Sequence, residues 1–449
     1  MNQPAESSPL EAHWPGPIGP DEAVVPLWPT IRPQIFDSIS GLQWFTISVV
    51  SWGTNSNKSE NPTTILIGAP RNTEKAWETL TGKIEAILDH VGLDGIGVTI
   101  IPAKHPFSAL DDPAENILST SAFQSDIEPG SSLAPKGVDT SATAGGCIRL
   151  RNQDSRTEDM IMSVFHCYRT VIGTEHELNG LRLDQASQIE TVIPSDQDRT
   201  QKLQSIQITL QTAIAPLQNL QERFEWTGDL RLQKWIDDWT REIEEQEAQK
   251  RIINEFDSRV GSLRACSGFQ IQNLHDWSLS AVTNRCSKLN TLPPPTDPQL
   301  VPPTTNDDLD SSTKRYYQPV DGEIKSWSAR GPKFGDRVFK RGRTTGVTTG
   351  IISHLKTDIV LSNSQGQKII FTGWEITPEP RPQPARPQPA GRDQSFVQAS
   401  DSGAWVLDMD GNWRGMVFAR LSSGSGVMED VEVIKQDIER MTGCNVELP

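Results

Sequence analysis

The alternation of apolar and polar positions in the first part of the chain predicts a small α/β module over residues 36–105. Apolar runs at 45–50, 64–68 and 95–101 are short, rich in β-branched residues and bounded by turn residues, which is typical of strands. Between the second and third runs, apolar residues recur every three or four positions from Thr73 to Val91. That spacing predicts an amphipathic helix, so the unit has the order ββαβ.

Segments rich in Pro, Ser and Asp separate the predicted elements. Residues 1–35 are Pro-rich and are predicted to form a flexible lead, and residues 106–140 are predicted to form a linker. Two further loops, 291–318 and 378–392, are also Pro-rich, and the second contains a tandem Arg-Pro-Gln-Pro-Ala repeat. Such segments favour extended, exposed backbone, because proline removes a backbone donor and restricts its neighbours.

A long helical pattern occupies residues 199–256. Its first half carries an apolar stripe with alternating spacings of three and four, formed by Leu203, Ile206, Leu210, Ala213, Leu217, Leu220 and Phe224. Pro216 lies within this stripe and is expected to kink or break the helix. A turn at 227–229 precedes a second helix over 230–256. The pattern predicts a helical hairpin inserted between strands, and both a merely solvated surface and a role in self-association or partner binding stay open for it.

The remainder of residues 141–449 has the pattern of an all-β domain. Strands are predicted at 145–150 and 159–165, and a strand-turn-strand rich in β-branched residues at 338–352. A helix over 429–440 closes the chain. The predicted architecture is therefore multi-domain, with a small α/β module before a β domain that contains the hairpin.

Composition narrows the functional classes. The formal net charge is −16 and the pI is near 5.0, and no Lys/Arg-rich face is evident, so a nucleic-acid-binding role is not expected. The N-terminus lacks the basic start and apolar run of a signal peptide, and no apolar stretch approaches the length of a membrane span. We therefore expect a cytoplasmic protein with no membrane partner.

The five cysteines are sparse and odd in number, which favours a reducing compartment and buried thiols. Cys147 and Cys167 fall on neighbouring predicted strands, so one disulfide between them stays open. No Cys-x-x-Cys or Cys/His cluster indicates zinc, and no Gly-rich phosphate loop is found. Neither a metal nor a cofactor is expected.

Candidate chemistry centres on the segment 400–404, Ser-Asp-Ser-Gly-Ala, which leads into an apolar strand. A tight turn there can expose the Ser402 hydroxyl beside backbone N–H groups, as a serine nucleophile requires, although the same residues also make ordinary surface turns. His166 follows a predicted buried strand, and Asp276 precedes another. Each also has a structural interpretation, as a packed histidine and as a turn-capping aspartate.

The three candidates occur in the order His, Asp, Ser, which is the order in chymotrypsin-like enzymes and differs from subtilisins and α/β-hydrolases. At these positions the chain resembles the chymotrypsin/trypsin-like serine peptidases. The motifs that carry the resemblance are Gly-Gly-Cys at 145–147, Ser-Val-Phe-His-Cys at 163–167, Asp-Trp-Ser-Leu at 276–279, Ser-Asp-Ser-Gly-Ala at 400–404 and Gly-Met-Val at 415–417. Together with Gly-Arg-Thr-Thr-Gly at 342–346, they are most similar to divergent intracellular fungal members.

The resemblance implies a double β-barrel and a serine endopeptidase acting on protein or peptide substrates. It implies His166 as general base, Asp276 as its orienting partner and Ser402 as nucleophile, with the amides of Ser400 and Ser402 forming an oxyanion hole. The substrate-binding positions that it implies are Phe396, Phe418, Ala419 and Arg420.

Two features depart from the family pattern. Ser400 stands where the family has Gly, and a Cβ disfavours the backbone twist that glycine allows there. A flipped amide at this position would make the chain a catalytically impaired pseudoprotease with a regulatory or interaction role. Phe396 occupies the place of the specificity-pocket floor and offers no carboxylate, which argues against a preference for Arg or Lys.

No activation site is evident before Gly145, so Asp401 is expected to pair with a group other than a freed N-terminus.

Overall fold

The computed structural model describes most of the chain from residue 13 onward. The described residues are 13–449 except 56, 72–73, 104–115, 124–125, 186, 270–274, 283–289, 293–321, 325, 329 and 380–394. The two predicted Pro-rich loops, 291–318 and 378–392, therefore lie almost entirely outside the described residues, as does the first part of the predicted linker.

The N-terminal unit contains the predicted ββαβ elements and two more that precede them. Its elements are β1 (Trp14–Gly16), α1 (Val24–Ile39), β2 (Thr46–Gly53), β3 (Thr63–Ala69), α2 (Glu74–His90) and β4 (Gly97–Pro102). Strands β2 and β3 are antiparallel, and β3 and β4 are parallel with α2 as their crossover connection. The periodicity thus located these three strands and their helix correctly.

The prediction of a flexible lead over residues 1–35 is wrong for residues 24–35, which form part of a helix. Helix α1 begins at Val24, and its side chains at 24, 31, 35 and 39 are fully buried in a core shared with β2, β3 and α2. Pro29 and Pro33 lie within the helix. The apolar spacing of four, three, four and four residues through Trp28 is helical, and it outweighs the proline content that suggested an irregular segment.

The first half of the β domain follows. Its elements are β5 (Ser132–Pro135), β6 (Ala142–Thr143), β7 (Gly146–Arg151), β8 (Thr157–Ser163), α3 (Thr174–Asn179), β9 (Glu190–Val192), α4 (Asp196–Thr227), α5 (Leu230–Glu255), β10 (Arg259–Cys266) and β11 (Ser278–Ala281). All four residues of β5 are buried, so the linker predicted for 106–140 is wrong at this strand.

The second half ends the chain. Its elements are β12 (Arg337–Gly342), β13 (Gly346–Ser362), β14 (Lys368–Pro378), β15 (Trp405–Asp408), β16 (Trp413–Arg420), β17 (Gly426–Asp430), α6 (Val431–Thr442) and β18 (Asn445–Glu447). Asp430 caps α6 by accepting a hydrogen bond from the Glu432 amide, and Gly443 ends the helix in the left-handed conformation.

The described strands form two sheets. One has the order β18-β7-β8-β11-β10-β9-β5-β6, and the other has the order β12-β15-β16-β17-β14-β13-β2-β3-β4, with β1 paired to β2. The N-terminal unit thus extends the second sheet through the pairing of β2 with β13. Arg32 of α1 reinforces this junction with two hydrogen bonds, of 2.6 and 2.7 Å, to the fully buried carboxylate of Asp358 on β13.

Helices α4 and α5 form the predicted hairpin. Ser195 caps α4 by accepting a hydrogen bond from the Asp198 amide, and Gly228 ends it with a φ of 61°. Pro216 lies inside α4, and the helix continues beyond it. The break that was one of the two expected effects of this proline does not occur. Near its base the hairpin packs on Phe123, with Ile206, Leu210 and Ile253 buried; farther out most residues are exposed. Within the described residues, no helix is long and apolar enough to cross a membrane.

A buried carboxyl group lies in the second sheet. Glu375 of β14 is 0% exposed, and its Oε2 accepts a 2.6 Å hydrogen bond from Thr357. Its Oε1 has no hydrogen-bond partner among the described residues. Burial raises the pKa of Glu375 to about 7, because desolvation of the carboxylate outweighs the hydrogen bond.

Stability should therefore depend on pH through Glu375. The raised pKa means that the folded state binds more protons than the unfolded state between about pH 4.5 and 7, so the free energy of unfolding falls as pH rises through this window. Glu375→Gln should add about 3 kcal/mol of stability at pH 8 and little at pH 4. Thermal unfolding across pH checks this, with Glu432→Gln on the exposed face of α6 as control. Equal gains at both pH values would contradict it.

Candidate active site

His166 and Asp276 are brought together by the pairing of two strands. Strands β8 and β11 are antiparallel, and Ser163 at the end of β8 pairs with Ser278 at the start of β11. The residues just beyond them therefore leave the sheet at the same edge. The Ser278 hydroxyl also donates a 2.9 Å hydrogen bond to the Val164 carbonyl, which fixes the two chain ends against each other.

The Asp276 carboxylate binds His166 twice. One oxygen accepts a hydrogen bond from the His166 backbone amide at 2.8 Å, and the other lies 2.6 Å from His166 Nδ1. The side chains are 3% and 0% exposed, respectively. A carboxylate at Nδ1 holds the proton on that nitrogen, so Nε2 is the basic nitrogen of the ring.

Two side-chain contacts hold the segment that carries Asp276 against the second half of the β domain. Trp277 donates an indole hydrogen bond of 2.8 Å to Asp437 on α6, and the His275 ring pairs with Glu429 on β17. Burial lowers the pKa of His275, but the Glu429 and Asp437 carboxylates outweigh it and raise the pKa above its usual value. The His275–Glu429 pair thus joins the segment before β11 to the second sheet.

Ser402 lies in a turn immediately before β15, and that turn packs on the β8 side of the domain. The Thr143 amide donates a 2.8 Å hydrogen bond to the Ser402 carbonyl, and the Thr143 carbonyl accepts one of 2.8 Å from Ser163. Gly403 has a φ of 98°, and a Cβ on it would lie 2.3 Å from the Thr143 carbonyl. A side chain at this position would force the turn away from the strand that leads to His166.

The amides of Ser400 and Ser402 are oriented by the carbonyl groups of their own peptide bonds. The Ala399 carbonyl accepts a 2.5 Å hydrogen bond from the Thr344 hydroxyl, and the Asp401 carbonyl accepts one of 3.1 Å from the Ala404 amide. In a trans peptide the N–H points opposite to the C=O. Both N–H groups therefore point away from these contacts, and within the described residues neither donates to a protein acceptor.

Ser400 adopts the backbone conformation that glycine favours. Its φ is 69°, in the left-handed region, and its side chain is buried. This conformation costs a non-glycine residue about 1–2 kcal/mol. The carbonyl of Ser400 is held by a 2.7 Å hydrogen bond from the Thr143 hydroxyl, which stabilises the strained residue. The carbonyl of the preceding residue, Ala399, is held by the Thr344 hydroxyl, so both carbonyl groups on either side of the Ser400 Cα are fixed.

Asp401 pairs with Lys340 of β12. The Lys340 ammonium lies 2.9 Å from Asp401 Oδ2, and both side chains are 0% exposed. The carboxylate also accepts hydrogen bonds from the Gln398, Thr344 and Thr345 amides and from the Thr345 hydroxyl. Burial raises the pKa of Asp401, but the Lys340 charge and these donors outweigh it and hold the pKa below its usual value.

The four residues implied as substrate-binding lie near the turn but are closely packed. Phe396, Phe418 and Ala419 are 0% exposed, and Arg420 at the end of β16 is half-buried. The Phe396 ring packs directly against Gly426, since a Cβ added to that glycine would lie 2.9 Å from the ring. The Phe418 carbonyl accepts a 3.3 Å hydrogen bond from Ser402 Oγ. Their contact with a substrate stays a prediction.

Cys147 and Cys167 are both buried and neither is in a disulfide, so the disulfide left open by their spacing is not formed. Burial raises the pKa of Cys167 well above its usual value, which makes it an unreactive thiol. Among the described residues, no group of three or more His, Cys, Asp or Glu side chains is arranged to hold a metal ion.

Sequence reasoning missed the residues that support the Ser402 turn. Thr143 binds the turn through its amide and its hydroxyl, and Lys340 neutralises Asp401. Neither has a local signature, because each contact joins segments far apart in sequence. The sequence of β12, Arg-Val-Phe-Lys-Arg-Gly, gives no indication that Lys340 is the buried one of its three basic residues.

Comparisons with known proteins give similarities to solved serine proteases. No protein-family profile and no curated protein sequence matches the chain. A glutamic acid-specific serine protease is 12% identical, with 72% of this chain and 100% of that chain covered and a TM-score of 0.32. Thermobifida fusca Protease A is 10% identical, with 72% and 100% covered and a TM-score of 0.33. Cellulomonas bogoriensis chymotrypsin is 10% identical, with 72% and 98% covered and a TM-score of 0.32.

All three TM-scores are below 0.5 and all three identities are far below 25%. Similarity at this level does not establish an activity.

Proposed function

We propose that this protein is a trypsin-like serine endopeptidase with His166, Asp276 and Ser402 as its catalytic triad. The observation that carries the proposal is the buried, doubly hydrogen-bonded His166–Asp276 pair just beyond β8, together with the Ser402 turn, which packs against Ser163 at the end of that strand. Within the described residues, the Ser400 and Ser402 amides of this turn donate to no protein acceptor. A carboxylate at Nδ1 makes Nε2 the basic nitrogen, which is the tautomer that a general base needs.

In the proposed reaction, His166 Nε2 takes the proton of Ser402 Oγ as the hydroxyl attacks the peptide carbonyl. Asp276 stabilises the resulting imidazolium through Nδ1. The imidazolium then gives its proton to the leaving amine, and an acyl-enzyme forms on Ser402. Water attacks this ester by the same route in reverse, which releases the second product and restores the serine.

The Ser400 and Ser402 amides are the proposed donors to the oxyanion. Each such donor contributes roughly 3–4 kcal/mol to transition-state stabilisation when it is preorganised. The Thr344 and Thr143 hydroxyls hold the two carbonyls that flank Ser400, so its amide is oriented before substrate arrives. These contacts favour an active enzyme over a pseudoprotease with a flipped amide.

The Lys340–Asp401 pair supports activity without proteolytic activation. In secreted trypsins, a freed N-terminus pairs with the aspartate that precedes the nucleophile. Here the ammonium of Lys340, which is 61 positions away in the same chain, is already in place. We therefore propose an enzyme whose oxyanion loop is formed on folding.

A fluorophosphonate probe tests the proposed function directly. The purified protein should be labelled at Ser402, and Ser402→Ala should abolish labelling because the nucleophile is removed. Ser163→Ala, which removes a buried hydroxyl in the same region, should retain labelling. Intact mass spectrometry with peptide mapping identifies the site. A folded wild-type protein that takes no label would leave the pseudoprotease alternative in place.

A second role, in protein association, is supported by the outer end of the α4–α5 hairpin. Trp226, Leu230 and Trp235 there are 93%, 80% and 62% exposed, and large apolar side chains rarely remain so accessible together. Light scattering of the full chain and of a variant with all three residues changed to Ser distinguishes self-association from a monomer. A mass unaffected by the changes would count against self-association.

A further inference from the structure

The base of the α4–α5 hairpin binds the segment next to the Ser402 turn through a buried ion pair. Arg343, which follows β12, donates from Nε to Asp198 Oδ2 at 2.9 Å, and its Nη2 pairs with Asp198 Oδ1. Asp198 lies in the first turn of α4, and both side chains are 0% exposed. A bidentate ion pair of this kind constrains the relative position of its two segments more strictly than a single hydrogen bond does.

Asp198 is further fixed by its own surroundings. Its Oδ2 also accepts hydrogen bonds from the hydroxyls of Ser195, at 3.0 Å, and Ser141, at 2.8 Å. The Asp198 amide in turn donates to the Ser195 hydroxyl, so the carboxylate is part of the helix cap. The helix start, the strand region before β6 and Arg343 therefore converge on one carboxylate.

From Arg343 the contacts continue to the proposed oxyanion hole. The Arg343 amide donates to the Thr143 hydroxyl at 3.0 Å, and that hydroxyl donates to the Ser400 carbonyl at 2.7 Å. The neighbouring Thr344 binds Asp401 through its amide, at 2.8 Å, and Ala399 through its hydroxyl. Residues 343–344 thus lie between the hairpin base and the turn that carries the oxyanion amides.

We infer that Asp198 is a positioning residue for the oxyanion amides, and that the helical insertion supports the catalytic turn. The inference rests on the proposed peptidase function and adds a part of the chain that lies outside the triad. Without the Asp198 charge, the buried Arg343 guanidinium has no anionic partner among the described residues and keeps only neutral acceptors such as the Asn116 carbonyl, at 2.6 Å. A buried cation in that state moves toward water or other acceptors, and residues 343–344 move with it.

The test is Asp198→Asn, which keeps the size of the side chain and removes its charge. We expect kcat to fall about tenfold to a hundredfold, as for a small misplacement of catalytic groups, with KM changed less than twofold. Affinity for a peptide aldehyde, whose adduct places an oxyanion at the site, should fall in parallel with kcat. Asp196→Asn is the matched control, because Asp196 lies in the same helical turn and, among the described residues, its carboxylate accepts only from the exposed Gly137 amide.

Hydrogen exchange gives a second readout that does not need activity. The amides of Thr344 and Asp401, which donate to the Asp401 carboxylate and to the Gln398 carbonyl, should exchange faster in Asp198→Asn than in Asp196→Asn, because residues 343–344 then hold the turn less firmly. Thr143→Val, which retains the buried ion pair and removes the hydroxyl on Ser400, should give the same change if Asp198→Asn does not fold. Unchanged exchange and kcat in a folded Asp198→Asn, or in Thr143→Val, would overturn the inference. If the wild type is not labelled by the fluorophosphonate but Asp198→Asn still changes the exchange rates, only the peptidase proposal is overturned.

Discussion

Asp276→Asn is expected to lower kcat by about four orders of magnitude while the protein stays folded. Asp276 accepts from the His166 amide with one oxygen and faces His166 Nδ1 with the other. An asparagine that keeps the first contact turns its NH2 group toward Nδ1 and donates to it. The imidazole proton is then forced onto Nε2, which can no longer accept the Ser402 proton.

The measurement is steady-state hydrolysis of a peptide ester or amide, with kcat and KM determined separately. KM should change little, because Asp276 is proposed to act on the base and not on the substrate. Asp159→Asn is a suitable control, since Asp159 forms a partly exposed pair with Arg149 on β7. Retention of kcat within tenfold in Asp276→Asn would show that the carboxylate does not orient the histidine.

Lys340→Met should destabilise the protein and remove its activity together. Breaking a buried ion pair by removing one partner costs about 3–5 kcal/mol, because the other charge is left uncompensated. The side chains of Lys340 and Asp401 are both fully buried, so solvent cannot replace the ammonium. Asp401 also holds the Gln398, Thr344 and Thr345 amides, and its displacement would disturb the turn on both sides of Ser400.

The pH dependence separates this effect from simple loss of packing. The pKa of Asp401 is lowered in the folded protein, so the pair stabilises the fold above the pKa of the unfolded aspartate, near 4, and this contribution is lost as pH falls below it. The difference in unfolding free energy between wild type and Lys340→Met should thus be largest at neutral pH. It should shrink toward pH 3, where Asp401 is protonated in the variant.

Chemical unfolding of both proteins across pH gives this difference. The double variant Lys340→Met/Asp401→Asn should recover part of the lost stability, since no isolated charge remains, but not the lost kcat. Lys368→Met, at the exposed start of β14, controls for the loss of a lysine. A Lys340→Met protein as stable as wild type at neutral pH would contradict the assigned role.

Local pattern was sufficient for much of the fold. The apolar periodicity located β2, β3, α2, β4 and both helices of the hairpin, because each of these buries one face and its sequence repeats accordingly. It failed at α1, where two prolines masked a helical spacing, and at β5, where a four-residue buried strand lies among turn-forming residues. Short or proline-containing elements owe their conformation to the core that they enter, which no window of sequence contains.

The sequence alone determined the candidate residues and their order. His166, Asp276 and Ser402 each stand at the end or the start of an apolar strand, and residue type together with strand context indicates their chemistry. Only the tertiary structure decided that Asp276 binds His166 twice, that Lys340 neutralises Asp401, and that Thr143 holds Ser400 in a left-handed conformation. These are contacts between segments 61 to 257 positions apart, and local periodicity carries no information about partners so distant.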